Sequence, residues 1–115
     1  MLTRPTIAFD AFDAVDIRVG TIIHAEPNAK ARKPAYILHV DFGAELGTKM
    51  SSAQITEHYG AEALIGRQVC AVVNFEPKRI AGIKSEVLVL GLHDAAGAVV
   101  LIGPDQPVAN GEKLC

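Results

Sequence analysis

The chain has 115 residues, enough for one domain with a single buried core. Half of its residues are apolar and 21% are charged, a balance that excludes an intrinsically disordered chain. Its formal net charge of −2 excludes attraction of the whole molecule to a polyanion, so nucleic-acid binding would need a local basic patch and would weaken with salt.

The cysteine pattern and the lengths of the apolar runs indicate in which cellular compartment the protein is found and whether it inserts into a membrane. Cys70 lies in an apolar run and Cys115 is the last residue, so the two form no recognisable disulfide framework. The sequence opens without a basic-then-apolar leader, and its apolar runs are far shorter than the ~20 residues of a membrane span. We therefore predict a reduced, cytoplasmic protein that does not insert into membranes, with Cys70 packed in the core.

The first periodic pattern lies at residues 7–15, where apolar residues recur at helical spacing and predict a short amphipathic helix that Thr6 could cap. We interpret three acidic residues on another face as a solvated surface rather than a metal site, because no second ligand cluster accompanies them: Asp10, Asp13 and Asp16. Residues 17–25 are predicted to form the first strand, with a bulge or bend at Gly20.

The next segment is predicted to be a hairpin with a basic tip. Residues 35–42 alternate as a second strand does, and the polar loop before them, residues 26–34, holds three cations: Lys30, Arg32 and Lys33. These cations either contact a polyanion or are simply solvated, and the sequence leaves both readings open. Residues 43–47 then turn the chain into a third strand over residues 48–55.

Polar side chains near the end of the third strand have two interpretations. Ser51, Ser52 and Gln54 can hydrogen-bond a ligand, or they can cap the helical segment that follows over residues 55–65.

The second half of the chain continues with short strands. Residues 67–75 form a fourth strand too continuously apolar to have a solvated face. A fifth strand is predicted over residues 86–92 and a short sixth over residues 98–102. The tail, residues 103–115, contains prolines that a sheet interior does not accept, so we expect it to run extended over a surface.

The order of three strands, a helix and two strands is that of an OB-fold. We therefore predict an all-β fold, a five-stranded OB-fold barrel with short helices and N- and C-terminal extensions. One domain would span residues 1–115, with the helix at 7–15, the barrel at 16–103 and the extended tail at 104–115.

A basic connection between two apolar strands, residues 74–90, is the strongest candidate binding element. It carries Lys78, Arg79 and Lys84, and Lys49 and Ser51 could lie on the same rim of a barrel. We expect Gly82 to permit a tight turn, and Ile80 and Ile83 to anchor the loop on the core. Since aromatic residues make up only 5% of the chain, base stacking would be minor, and a peptide or protein ligand remains open beside nucleic acid.

Signatures of catalysis and of metal binding are absent from the sequence. There is no G-x-S-x-G elbow, H-E-x-x-H motif, Walker loop or Rossmann fingerprint. The histidines lie in separate segments, and no C-x-x-C pair could complete a zinc site. We therefore predict no enzymatic activity, no metal and no cofactor.

Three motifs in order resemble a known family. The segments DIRVGTI (residues 16–22), SSAQI (residues 51–55) and NFEPKRIAGIKSEVLVL (residues 74–90) resemble the tRNA-binding OB domain, which occurs free-standing and fused to methionyl- and phenylalanyl-tRNA synthetases. The ending PDQPVANGEKL is most similar to the small stand-alone members of the CsaA type, which are implicated as chaperones in protein export.

The resemblance implies a homodimer, assembled partly through the terminal extensions, that binds tRNA and unfolded or preprotein segments and contacts the export machinery. An alternative is a dedicated tRNA-binding protein that acts in trans with aminoacyl-tRNA synthetases. The family's RNA-contact positions correspond here to Asn74, Lys78, Arg79, Lys84 and Ser85, and less directly to Ser51, Ser52 and Gln54. Many tRNA-binding members have Gly and Met where this chain has Val87 and Leu88, a difference that leaves room for apolar peptide binding.

Overall fold

The computed structural model describes residues 2–115, and most of its regular structure is β-strand. Its elements, in chain order, are α1 (Phe9–Asp13), β1 (Ile17–Pro27), β2 (Tyr36–Asp41), α2 (Gly43–Leu46), β3 (Thr48–Ala53), α3 (Ala61–Leu64), β4 (Gln68–Val72), β5 (Lys78–Ile80), β6 (Ile83–Ser85), β7 (Leu88–Val89), β8 (Gly91–His93) and β9 (Val99–Leu101).

A five-stranded antiparallel sheet, in the order β3-β2-β1-β4-β7, forms the body of the molecule. Its two edges approach each other, because the N–H of Glu86 donates to the carbonyl of Met50 at 2.8 Å and the hydroxyl of Ser51 donates to the carbonyl of Val87 at 3.0 Å. The sheet is thus a nearly closed barrel, with α3 between its third and fourth strands. This arrangement confirms the predicted OB-fold.

The core lies inside this barrel and follows the period of two expected for strands. Tyr36, Leu38 and Val40 of β2 are buried while the residues between them are partly exposed, as the alternation predicted. Cys70 is also buried, in agreement with its predicted role in packing. Full burial of an aliphatic side chain such as that of Leu38 or Val40, relative to its exposure to water, stabilises a fold by about 1.5–3 kcal/mol.

The bulge in β1 does not lie at Gly20, where the sequence predicted it. The register with β2 shifts between Ile22 and His24 instead. Gly20 serves close packing, because a Cβ there would lie 2.6 Å from Cγ1 of Val40 and 2.8 Å from Cδ1 of Phe42. The glycine therefore makes room for core side chains of the neighbouring strand.

The helices are shorter than predicted. The N-terminal helix covers Phe9–Asp13 and is preceded by Ala8 with no side-chain cap, so Thr6 does not cap it. Of the helical segment predicted over residues 55–65, only Ala61–Leu64 is helical, and it follows Gly60, again without a side-chain cap. The capping interpretation of the polar residues after the third strand is therefore wrong.

The predicted fifth strand is divided at Leu90, where the chain changes partner. The N–H of Leu90 donates to Cys70 of β4 at 2.9 Å, and its carbonyl accepts from Ile102, which follows β9, at 3.1 Å. The next residue, Gly91, allows β9 to approach, because a Cβ there would lie 2.5 Å from Cγ1 of Val99.

The C-terminal tail runs extended along β1 of its own chain. Gly111 donates to Val19 at 2.7 Å, Val19 donates to Glu112 at 3.0 Å, and Leu114 donates to Ile17 at 2.9 Å. The tail thus occupies the side of β1 that β2, whose pairing starts at Thr21, leaves uncovered. Within residues 2–115 no helix combines the length and the apolar character needed to cross a membrane.

Candidate functional site

The basic connection is a β-hairpin rather than the loop that the sequence predicted. Strands β5 and β6 are joined by Ala81 (φ +46°) and Gly82 (φ +86°), and positive φ at both turn positions matches the twist of a two-residue hairpin. The predicted tight turn at Gly82 is confirmed. The cross-strand pairs are Lys78 with Ser85, Arg79 with Lys84, and Ile80 with Ile83.

One face of the hairpin, the outer face, carries Arg79 and Lys84. Both side chains are exposed, and directly opposite residues on one face have Cβ atoms about 4.5–5.5 Å apart. Within residues 2–115 the only hydrogen bond of the Arg79 side chain runs from Nη1 to the carbonyl of Gly82 at 3.3 Å, and this uncharged acceptor does not neutralise the guanidinium. Two like charges held side by side suit an anionic ligand, which would relieve their repulsion.

The other face of the hairpin lines an apolar groove of about 480 Å³, here called the hairpin groove. Lys78 and Ile80 contribute from the hairpin, and Phe75 and Leu88 from the segments on either side of it. The exposed fractions are 55% for Phe75, 51% for Leu88 and 37% for Ile80. Ile80 therefore does not anchor the hairpin on the core as predicted, whereas Ile83 is half-buried.

Two of the predicted serines hold the base of the hairpin. Ser51 is 1% exposed, and its hydroxyl donates to the carbonyl of Val87. Ser85 is also buried, and its hydroxyl accepts the N–H of Ser52 at 3.1 Å. These bonds tie β3 to the end of β6, so the polar atoms are engaged within the protein.

Asn74 braces the N-terminal segment. Its Oδ1 accepts from the N–H of Asp16 at 2.9 Å, and its Nδ2 donates to the carbonyl of Ala14 at 2.8 Å. This amide fixes the start of β1 to the end of β4. Both of its polar ends are therefore occupied within the chain.

The remaining predicted site residues lie along β3. Lys49 pairs opposite Val40 and is half-buried, two residues from Ser51. Gln54 is exposed and lines a second, smaller groove of about 210 Å³ together with Leu88 and Leu92. Since Leu88 lines both grooves, they meet at this side chain.

The structure brings a second basic element to the hairpin, which sequence reasoning did not place there. The loop at the β1–β2 tip touches the hairpin turn, where Nδ2 of Asn28 donates to the carbonyl of Ala81 at 3.3 Å. More than fifty residues separate the two segments along the chain, so no local pattern signals the contact.

Perturbed titratable groups lie away from the hairpin. The hydrogen bond with His58, 2.6 Å long, lowers the pKa of Asp94. The hydrogen bond to Asp16 raises the pKa of Arg18, and burial raises the pKa of the Cys70 thiol. Among residues 2–115, no three side chains of His, Cys, Asp or Glu are grouped so that they could hold a metal ion.

Known proteins with a similar sequence or structure share this architecture. The family model described as "Putative tRNA binding domain" matches residues 17–113. The crystal structure of the chaperone CsaA from Bacillus anthracis is 54% identical, with a TM-score of 0.90 over 96% of this chain and all of that one. The CsaA chaperone protein from Picrophilus torridus is 45% identical, with a TM-score of 0.89 and the same coverage of both chains.

A match to a longer enzyme covers only part of that enzyme. The methionine–tRNA ligase of Porphyromonas gingivalis is 38% identical over 108 residues, which are 94% of this chain and 15% of the enzyme. With a family model matching most of its length and CsaA structures matching it end to end, the chain belongs to the tRNA-binding domain family, as a member of the CsaA type.

Proposed function

We propose that this protein is a cytoplasmic chaperone that binds unfolded or preprotein segments in the hairpin groove and assists their export, without catalysing a reaction. The observation that carries the proposal is the groove itself, where Phe75, Ile80 and Leu88 expose apolar surface around one cavity. Burial of such surface is worth about 25 cal/mol per Å², so an apolar client segment gains free energy by covering it.

Charged groups border the groove and would select extended client segments. Lys78 and Glu76 both line it, whereas the carboxylate of Glu86 is engaged with the N–H of Met50 at 2.8 Å. A segment with an apolar centre and charged flanks fits this arrangement better than a purely apolar one. We propose that handover of such segments brings the protein into contact with the export machinery.

Suppression of aggregation by groove variants tests the proposal. We expect Leu88→Ser to weaken the protein's protection of a denatured client and its binding of preprotein peptides by roughly fivefold to tenfold, because it removes apolar contact area. Ile65→Ser is a matched control, since Ile65 is also 51% exposed but does not line the groove. A wild-type protein that neither protects the client nor binds the peptides would contradict the proposal.

We propose tRNA as a second ligand, bound on the outer face. The paired cations Arg79 and Lys84 support it, and such a site would make affinity fall steeply with salt. Filter binding of tRNA across a salt series, with the Lys78→Ala/Arg79→Ala double variant, is the direct measurement. Flat salt dependence would count against this ligand.

The similarity to part of a methionine–tRNA ligase favours an alternative, a tRNA-binding protein acting in trans with an aminoacyl-tRNA synthetase. Purification of the native protein from cells distinguishes the two roles. A bound synthetase would support the alternative, and bound unfolded polypeptide would support the chaperone.

We propose that two copies assemble through the terminal extensions. The helix α1 buries none of its own residues, and the exposed rings of Phe9 and Phe12 lie 5.8 Å apart. A groove of about 360 Å³ beside the tail, lined by Cys70, Val108 and Leu114 among others, offers apolar surface for such a segment of a second copy. Light scattering should give the mass of a dimer, and Phe9→Ser/Phe12→Ser should shift it toward the monomer.

A further inference from the structure

The hairpin is fixed at its tip as well as at its base. Among residues 2–115 the buried polar side chains are Asn28, Ser51 and Ser85. Asn28 bonds to the hairpin turn, Ser51 bonds to the segment that follows the hairpin, and Ser85, within the hairpin, bonds to β3. Asn28 is 8% exposed and acts at the tip, where its Nδ2 holds Ala81 and its Oδ1 accepts the N–H of Lys30 at 3.0 Å. One amide therefore orders the β1–β2 loop and docks it on the hairpin turn.

The docked loop lays the side chain of Lys30 across this turn. A Cβ at Gly82 would lie 2.8 Å from Cδ of Lys30 and 3.4 Å from its Nζ. The carbonyl of the same glycine accepts a hydrogen bond from Nη1 of Arg79. Two cations that are 49 residues apart in sequence thus meet at one glycine, and Lys84 lies opposite Arg79 on the same face.

In the part of the chain that the structure describes, no acidic side chain forms an ion pair with these cations. The ion pairs of the described residues use Asp13, Asp16, Glu26 and Asp94 as acids, and none of them includes Lys30, Arg79 or Lys84. All three cations are exposed. In a chain of net charge −2, such an uncompensated cluster costs free energy by repulsion that a bound anion would reverse.

We propose that Lys30, Arg79 and Lys84 form one phosphate-binding position for RNA at the hairpin tip, with Asn28 as its positioning residue and with Arg32 and Lys33 extending the same surface. This inference rests on the proposed binding of tRNA. A guanidinium flanked by ammonium groups suits a phosphodiester, because arginine can donate two parallel hydrogen bonds to one phosphate. An acidic peptide is the less favourable ligand, since the exposed apolar side chains that would hold it line the opposite face of the hairpin.

The test is a double-mutant cycle on tRNA affinity across a salt series. We expect Lys30→Ala and Arg79→Ala each to weaken binding roughly threefold to tenfold and to lower the slope of log K against log salt by about 0.7–0.9. Their combination should lose less than the sum of the two changes, because both act on the same phosphate. Arg67→Ala removes an exposed cation that lies over the ring of Tyr59, outside the hairpin and its docked loop, and should leave the affinity unchanged.

Asn28→Ala separates positioning from charge, since it removes no cation. We expect it to weaken tRNA binding and to abolish the non-additivity between Lys30 and Arg79, while thermal unfolding shows a folded protein. If the non-additivity between Lys30→Ala and Arg79→Ala is as large in the Asn28→Ala protein as in the wild-type protein, Asn28 does not have the positioning role.

The outcomes separate this inference from the function on which it rests. A wild-type protein that does not bind tRNA overturns both. A wild-type protein that binds tRNA, with the affinity and salt slope of Lys30→Ala unchanged, overturns this inference alone. Loss of binding to a polyglutamate peptide but not to tRNA in Lys30→Ala would assign the position to an acidic protein ligand instead.

Discussion

The two faces of one short hairpin differ in chemistry although neighbouring residues build them. Arg79 and Lys84 point to the outer face, whereas Ile80 of the same strand points into the hairpin groove with Phe75 and Leu88. Because side chains alternate along a strand, a polar and an apolar binding surface can share one element at opposite sides. A small domain can thereby offer two classes of ligand separate surfaces without a second domain.

Reversing the outer charges should have the largest effect. Arg79→Glu/Lys84→Glu replaces two attractive charges by two repulsive ones, so we expect tRNA affinity to fall by about 100-fold or more at moderate salt. Protection of a denatured client should stay at the wild-type level, because neither residue lines the groove. Equal losses of both activities would mean that the faces do not act separately.

Loosening the base of the hairpin should affect both faces together. Ser51→Ala leaves the carbonyl of Val87 without its buried donor, and we expect the free energy of unfolding to fall by about 1–2 kcal/mol in urea titrations. Both tRNA and client binding should weaken modestly. Ser52→Ala is the control, since only the backbone N–H of Ser52 reaches Ser85. Unchanged stability in Ser51→Ala would show that this bond does not hold the hairpin.

A comparison of Lys78→Ala with Arg79→Ala tests whether cations on the two faces of the hairpin contribute differently to tRNA binding. Lys78 lines the groove rather than the outer face, so Lys78→Ala should reduce tRNA affinity by roughly twofold, less than Arg79→Ala does. In client binding the order should be reversed. Identical effects of the two variants on tRNA would indicate that the cations act as one diffuse charge.

The smallest effect expected is a gain in stability from relieving the repulsion on the outer face. Lys84→Glu places a carboxylate opposite Arg79, and a cross-strand pair of this kind contributes roughly 0.2–1 kcal/mol. The melting temperature should rise slightly at low salt while tRNA affinity falls. Lys84→Gln should give about half of the gain, and a melting temperature that falls in both variants would contradict the repulsion.

The barrel could be predicted from the sequence where one signal dominated. Alternation in β2 and the continuous apolar run of β4 placed the core correctly, since burial on one face or on both has a direct sequence pattern. Gly20 illustrates an ambiguous signal, because a bulge and a close approach both favour glycine and only the three-dimensional neighbours decide between them. The division of the fifth strand at Leu90 depends on two partners that are distant in sequence.

The candidate site could be located from the sequence but not resolved into its parts. The cluster of cations at residues 78–84 could be recognised in the sequence. Their division between the two faces of the hairpin depends on the strand pairing, which no pattern in so short a segment predicts. Ser51 and Asn74 are engaged inside the protein, and composition gives no indication of that. The docking of Asn28 on Ala81 is a contact between distant segments, which only the folded chain brings together.

The tail that runs along β1 also covers an edge of that strand. Without it, the backbone groups of Ile17 and Val19 would form an open strand edge, which is a template for pairing with any extended chain. For a protein proposed to meet unfolded polypeptides, that edge would recruit clients by main-chain pairing, irrespective of their side chains. Because residues 111–114 cover this edge, the proposed binding of clients depends on contacts with side chains, which can distinguish one client sequence from another.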